Sequence, residues 1–234
     1  MHIIRPAFRM EEQAALAFAA ERGFGLVVAA GPDGPVGSHV PFVLHEEANG
    51  VVAQVHFTAK NPLIALADGR QRFLLAVTGG DSYVSNDWYA SADQVSTWLY
   101  EAVHLSGVAS QRPLTDNRSH GDDLLAVAEA RLPKAPWSLT SMEPGKRETM
   151  LNGIRVVEIA VDRIEGQSKL NHHKPDADHV AVANQLAKQS STAARELAAR
   201  MRALRPHLDY AAPKGEAAVG QTEPGSRRGQ GEDE

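Results

Sequence analysis

The chain contains no cysteine. That removes disulfides, thiolate nucleophiles and cysteine-ligated zinc or iron–sulfur centres together, and it fits a cytoplasmic protein. Long apolar runs are missing too. No stretch reaches the ~20 residues of a membrane-spanning helix, and Met1 to Arg9 holds Pro6 and two arginines in place of a signal-peptide core. A basic excess is also absent: the formal net charge is −5, which disfavours a globally basic surface of the kind that displaces counterions from nucleic acid. Internal repeats are lacking, as is a glycine-rich phosphate loop, because the glycines fall in hairpin turns and not between a strand and a helix.

What is there is ordinary globular composition. Hydrophobic residues are 43% and charged residues 23% of 234, enough to bury a core with roughly 70% of the unfolded surface removed from water. The order of elements is legible. Arg9–Arg22 is rich in helix formers and stops at Gly23. Phe24–Ala30 and Val36–His45 read as a hairpin around Gly31-Pro32-Asp33-Gly34, with a third strand at Val51–Phe57. A short helix is expected over Pro62–Asp68, closed by Gly69, and then a strand over Phe73–Thr78 and an aromatic loop over Asp81–Tyr89. Val95–Val108 is a long strand with neither face cleanly polar, as expected if both are covered. A helix over Asp122–Leu132 and a strand over Ile154–Ile164 complete six strands joined by short turns, the pattern of an antiparallel barrel of α+β class.

Beyond residue 175 the apolar positions Val182, Leu186, Ala193, Leu197, Met201, Leu204 and Leu208 form one stripe, which predicts a single amphipathic helix from Asp178 to Leu208 packed on the barrel or a partner. From Ala211 the chain is too poor in apolar residues to offset the entropy of ordering, so 211–234 is expected to be a disordered polar tail. The organisation is thus 1–175, 176–210 and 211–234.

Three segments carry chemistry. Gly37-Ser38-His39-Val40-Pro41 places a proline and small polar residues inside a strand, which frees backbone groups for a ligand or marks a bulged edge. His56-Phe57-Thr58-Ala59-Lys60-Asn61-Pro62 hands a strand to a helix. Amide donors there and the Lys60 charge suit a phosphoryl group, while Asn61 before Pro62 is equally a helix N-cap. In Val95-Ser96-Thr97-Trp98-Leu99-Tyr100 the aromatics either wall a planar ring or pack a core.

These segments, in this order, with Tyr83-Val84-Ser85-Asn86-Asp87-Trp88-Tyr89, Pro136-Trp137-Ser138, Met150-Leu151-Asn152-Gly153-Ile154 and Glu165-Gly166-Gln167-Ser168-Lys169-Leu170, resemble the PaiB-like family of FMN-binding negative transcriptional regulators. The resemblance spans about Met1 to Lys188. It implies a split β-barrel related to pyridoxamine-phosphate oxidases and flavin reductases, forming a homodimer with FMN in a groove between subunits. Carried over by position, Ser38, His39, Val40 and Pro41 line the flavin, and Lys60 with Asn61 takes its phosphate. His56, Phe57 and Thr58 approach through the strand, and Thr97 with Trp98 sits near the ring or across the interface. The sequence departs from the family after Leu170, where Asn171-His172-His173-Lys174 replaces a Ser-Gln-Asn-Arg-like stretch.

The resemblance implies a repressor acting directly or through a partner. A flavin-dependent oxidoreductase is the competing enzyme reading, since the flavin itself carries the electrons. Haem is the rival cofactor, because related split barrels include haem-degrading enzymes and His172 or His173 can serve as an axial ligand. No metal site is expected: adjacent residues of an extended chain point opposite ways, and no His-x-x-x-His spacing occurs among the ten histidines. No segment reads as a helix-turn-helix. The one basic stretch is the last helix, with Lys188, Arg195, Arg200, Arg202 and Arg205.

Overall fold

A computed structural model describes residues 1–210; the tail expected over 211–234 lies outside the described residues. Helix α1 (Glu12–Arg22) ends where Gly23, at φ 61°, turns its N–H back to the Ala19 carbonyl. Strands β2 (Phe24–Gly31) and β3 (Gly34–Glu47) form the expected hairpin, paired from Phe24↔Pro41 to Gly31↔Gly34. They are followed by β4 (Gly50–Thr58), the one-turn helix α2 (Leu63–Leu66), β5 (Asp68–Val84) and β6 (Thr97–Gln111). Helices α3 (Asn117–Glu129) and α4 (Pro144–Asn152) precede β7 (Ile154–Lys169), and α5 (Asp176–Ala187) and α6 (Thr192–Leu204) complete the described chain. A two-residue strand β1 (Arg9–Met10) pairs with the end of β7.

All strand pairings are antiparallel, in the order β1-β7-β4-β3-β2-β5-β6, and β6 pairs back to β7. Six long strands therefore close into a ring, as the α+β, six-stranded split-barrel expectation requires. Its interior is apolar, with Phe42, Val55, Phe73, Leu75, Leu105 and Ile159 all buried; each such side chain contributes about 1.5–3 kcal/mol by leaving water. Closure is tight at one point. The β6–β7 register shifts between Ser106 and Gly107, and a Cβ on Gly107 would lie 1.8 Å from the Ala160 carbonyl oxygen.

Several sequence expectations change. Strand β5 is much longer than Phe73–Thr78: it begins at Asp68, so Gly69 sits inside it at a register shift and does not close α2. It also runs on through Val84, which converts the first half of the aromatic loop to strand; a second register shift between Thr78 and Asp81 absorbs Gly79-Gly80. The single C-terminal helix is instead a helical pair. The chain breaks at residues 188–191, and Ser191 caps α6 by accepting the Ala194 N–H at 3.4 Å. Folding the stripe back on itself builds a second core, in which Val182, Leu186, Leu197 and Met201 meet Val84, Leu99 and Leu170. Across this core the Arg200 guanidinium donates from Nε to Glu101 Oε2 at 2.6 Å, pairing a buried carboxylate that also accepts the Ser168 hydroxyl at 3.0 Å. Helix α3 starts five residues before Asp122, and α4 was not expected; Glu143 caps it by accepting the Gly145 and Lys146 amides. Among the described residues no helix is long and apolar enough to cross a membrane.

Candidate functional site

The corner between β4 and α2 is built around Asn61. Thr58 to Asn61 forms a tight turn, with the Asn61 N–H donating to the Thr58 carbonyl at 2.9 Å. The Asn61 side chain then works in two directions. Its Oδ1 accepts the Leu63 N–H at 2.9 Å, and its Nδ2 donates to Ser38 Oγ at 2.8 Å on the neighbouring strand. Because Ser38 Oγ accepts from Asn61, its own hydrogen points elsewhere and is free for a ligand oxygen. Lys60 projects from the turn into solvent; among the described residues neither its ammonium nor its N–H has a partner. A free cation on the residue before the one that orients a hydroxyl is a donor set that fits a phosphate.

The helix itself adds little here. Helix α2 is a single turn, and Asn61 already satisfies its first donors through Oδ1 and its carbonyl, which accepts the Ile64 N–H at 3.0 Å. The expected helix-terminus contribution is thus replaced by the turn, and Asn61 holds the corner in shape.

The other expected residues divide by the side of the sheet they face. Val40 and Phe57 are core residues of the ring interior, so their main chain alone is open to a ligand. His39 is exposed on the outer face and stacks on Phe24, with ring centroids 6.2 Å apart and an interplanar angle of 14°; Pro41, half-buried, follows on the same side. His56 turns outward under α3, where its Nδ1 lies 3.0 Å from Nε2 of His120. Burial lowers the pKa of His56. For His120, burial first and then the positive potential of His56 and His45 push it down to about 3, so this imidazole is neutral at ordinary pH. The buried partner His120, and His45 with Asp123 at 3.9 Å, were not singled out from the sequence; nothing in the spacing of α3 and β4 announces a tertiary histidine pair.

Thr97 and Trp98 lie elsewhere. Ser38 pairs with Val27, Val27 with Leu75 and Leu75 with Leu105, and Thr97 is eight residues before Leu105 on β6 (105 − 97 = 8), roughly 25 Å along the strand. One subunit therefore does not bring both groups to one ligand. Thr97 Oγ1 accepts from the Lys169 ammonium at 2.7 Å, and Trp98 packs edge-on against Tyr83 at 6.1 Å. His172 forms part of the wall of a cavity of about 490 Å³ between α1 and α6, together with Met10, Phe18, Glu101 and Arg200. Its imidazole pKa is lowered chiefly by burial. No cluster of three or more histidine, aspartate or glutamate side chains suited to a metal occurs among the described residues.

The arginines of this stretch are occupied internally, while the Lys188 ammonium has no partner among the described residues. Arg195 donates to the carbonyls of Gln189 and Ser190, Arg202 to Asn184 Oδ1, and Arg205 to Asp176 and the His172 carbonyl, alongside the Arg200–Glu101 pair.

Comparison with known proteins adds three findings. Residues 1–163 match the model of a family described as "Putative FMN-binding domain". The chain is similar to "Protease synthase and sporulation protein PAI 2" of Bacillus subtilis (strain 168), 27% identical over 186 residues that cover 79% of this chain and 88% of the relative. Among solved structures it is similar to the conserved hypothetical protein Rv2991 from Mycobacterium tuberculosis, with a TM-score of 0.52 at 18% identity, covering 74% of this chain and 94% of that one.

Proposed function

The chain belongs to this FMN-binding family, and from that premise we propose that it is a homodimeric flavin-binding regulator of repressor type. FMN is its cofactor. The flavin phosphate sits at the β4–α2 corner on Lys60 and Ser38, with Asn61 fixing the hydroxyl, and His39, Pro41 and the main chain of Val40 approach the flavin from β3. His56, Phe57 and Thr58 hold the strand behind that corner. The observation that carries the reading is the Asn61–Ser38 bond next in sequence to Lys60, a polar arrangement that no contact among the described residues uses up.

The dimer has separate support. The outer face of β2, β5 and β6 carries Phe24, Tyr83 and Trp98 at 54%, 47% and 54% exposure, with Leu26, Val28 and Leu74 half-buried on the side of Phe24 away from Tyr83 and Trp98. Large apolar side chains left exposed on one sheet face support an interface there. A second copy seated there brings its own Thr97 and Trp98 towards the first copy's flavin, which resolves the wide separation of the two groups within one chain.

Regulation rests on the resemblance to the PaiB-like regulators and on the likeness to the relative named "Protease synthase and sporulation protein PAI 2". The internal pairing of the C-terminal arginines argues for control through a partner and against a basic DNA-reading helix. The protein works in the cytoplasm. Purified protein should be yellow or take up FMN on titration, and Lys60→Ala should weaken binding by about 1.5–3 kcal/mol, the scale of a charge-assisted hydrogen bond. Unchanged FMN affinity in that variant overturns the phosphate assignment. Rapid bleaching of the bound flavin by NAD(P)H would favour the oxidoreductase reading, and a Soret band on haem addition would favour haem at His172 or His173.

A further inference from the structure

The fully buried side chains of helix α3 are both polar. They are Asn117 and His120, one turn apart, and His120 meets His56, two residues before Thr58 on the strand that enters the β4–α2 corner. Asn117 reaches a different element. At 2% exposure, it donates from Nδ2 to the Leu151 carbonyl at 2.8 Å and to the Ile154 carbonyl at 3.2 Å, the two oxygens that bracket the junction of α4 and β7.

That junction is held from both sides. The Asn152 carbonyl accepts the Arg155 guanidinium Nη1 at 2.9 Å, and the same nitrogen reaches the Ile154 oxygen at 2.7 Å. Side chains thus occupy the carbonyls of residues 151, 152 and 154. The remaining one, on Gly153, accepts the main-chain N–H of Ala59 at 2.9 Å, and Ala59 is the residue directly before Lys60. Thr58 faces Ile154 in the ladder, so the junction and the corner share one end of the β4–β7 pairing. Of the two neighbours of Lys60, Asn61 is tied to Ser38 and Ala59 to Gly153. The lysine is aimed by their bonds and not by its own.

An apolar residue would fill the Asn117 site at lower cost. The Asn117 Oδ1 is buried and accepts no hydrogen bond among the described residues, a desolvation loss that a side chain without polar atoms avoids. The useful end is Nδ2, which fixes the main chain on both sides of Gly153.

We propose that Asn117 is a positioning residue for the flavin phosphate: by holding the α4–β7 junction it sets the place of Ala59, and so of Lys60 relative to Ser38. This role rests on the phosphate reading of the corner. Asn117 touches no ligand itself and acts through main chain, and a displacement of about 1 Å at such a support is enough to cost a bound group much of its contact.

Riboflavin, which lacks the phosphate, supplies the readout. The full-length parent, Asn117→Ala and Lys60→Ala are stripped of flavin and titrated with FMN and with riboflavin, and the ratio of the two affinities is compared. Asn117→Ala is expected to lose FMN affinity at least about tenfold while riboflavin binding stays within about twofold, because the damage is confined to the phosphate contact. A residue that only held the fold together would weaken both ligands alike. Equal weakening of both, or an unchanged ratio, overturns the proposal. Asn117→Gln keeps the donors but displaces them by one methylene; it covers an alanine variant that does not fold, and it should lower the same ratio. If Lys60→Ala leaves the ratio at the parental value, the phosphate corner itself has failed, and this role with it. A ratio lowered by Lys60→Ala and untouched by Asn117→Ala sinks the positioning role alone.

Discussion

Asn61 donates from Nδ2 to Ser38 Oγ at 2.8 Å while its Oδ1 accepts the Leu63 N–H at 2.9 Å, so one side chain both caps a helical turn and orients a hydroxyl. The two tasks separate by substitution. Asn61→Ala loses both and should destabilise the fold by about 1–2 kcal/mol, the usual worth of a cap with a second hydrogen bond. Asn61→Asp keeps the cap, but the introduced carboxylate accepts where the amide donated. Ser38 must then turn its hydrogen inward, and a negative charge stands beside the phosphate. Thermal melts should rank Asn61→Ala as the less stable variant, whereas FMN titration should rank Asn61→Asp as the weaker binder, by about 2 kcal/mol or more. The same ranking in both measurements would contradict the double role.

Acid should loosen α3 from the sheet. The His120 pKa is about 3 in the folded chain against 6.5 for the free group, and that of His56 is also lowered. Between those values the unfolded chain binds protons that the native pair refuses. Stability from His120 is therefore fully present above about pH 6.5 and declines as pH falls towards 3, by about 1.4 kcal/mol per pH unit. Urea melts from pH 7 to 5 should show this slope, and His120→Gln should flatten it, leaving the smaller contribution of His56. An unaltered slope in the variant would place the titration elsewhere.

Gly107→Ala should be severe. The added methyl falls on the Ala160 carbonyl where β6 and β7 close the ring, and main chain cannot move aside as a flexible side chain does. A loss of about 3 kcal/mol or more is expected, at or above the upper end for overpacking, and a near-parental melting temperature would mean that closure is looser than drawn.

Trp98→Glu should part the subunits without unfolding them. Trp98 is exposed within one chain and packs edge-on against Tyr83, so the melt of the isolated subunit should move by less than about 0.5 kcal/mol. Sedimentation should show the dimer dissociation constant rising about a hundredfold or more, as for a central aromatic anchor. A variant that stays dimeric would move the interface off this face.

The sequence discloses local features well and tertiary ones poorly. Gly23, the Gly31–Gly34 turn and the interleaved strands were legible because each obeys a rule spanning a few residues. The corner at Asn61 was legible as a helix cap, though not that Ser38 would be the residue it holds. Strand β5 was cut short because Gly79-Gly80 looks like a loop, while the structure spends those residues on a register shift. The break after Ala187 was hidden by a stripe whose period continues across it; Ser191 as a helix cap was the available signal, as Glu143 before Pro144 was for α4. The His56–His120 contact joins residues 64 apart, and no local pattern encodes it.

Each of the six long strands has a hydrogen-bonded neighbour on both sides. The pairing is not continuous along them: Gly34–Pro41 of β3 is bonded to β2 alone and Val77–Val84 of β5 to β6 alone, so the ring closes while two stretches of ladder keep one side open. A partner that adds backbone to this molecule has those two stretches to use, and everywhere else recognition must work through side-chain relief and charge.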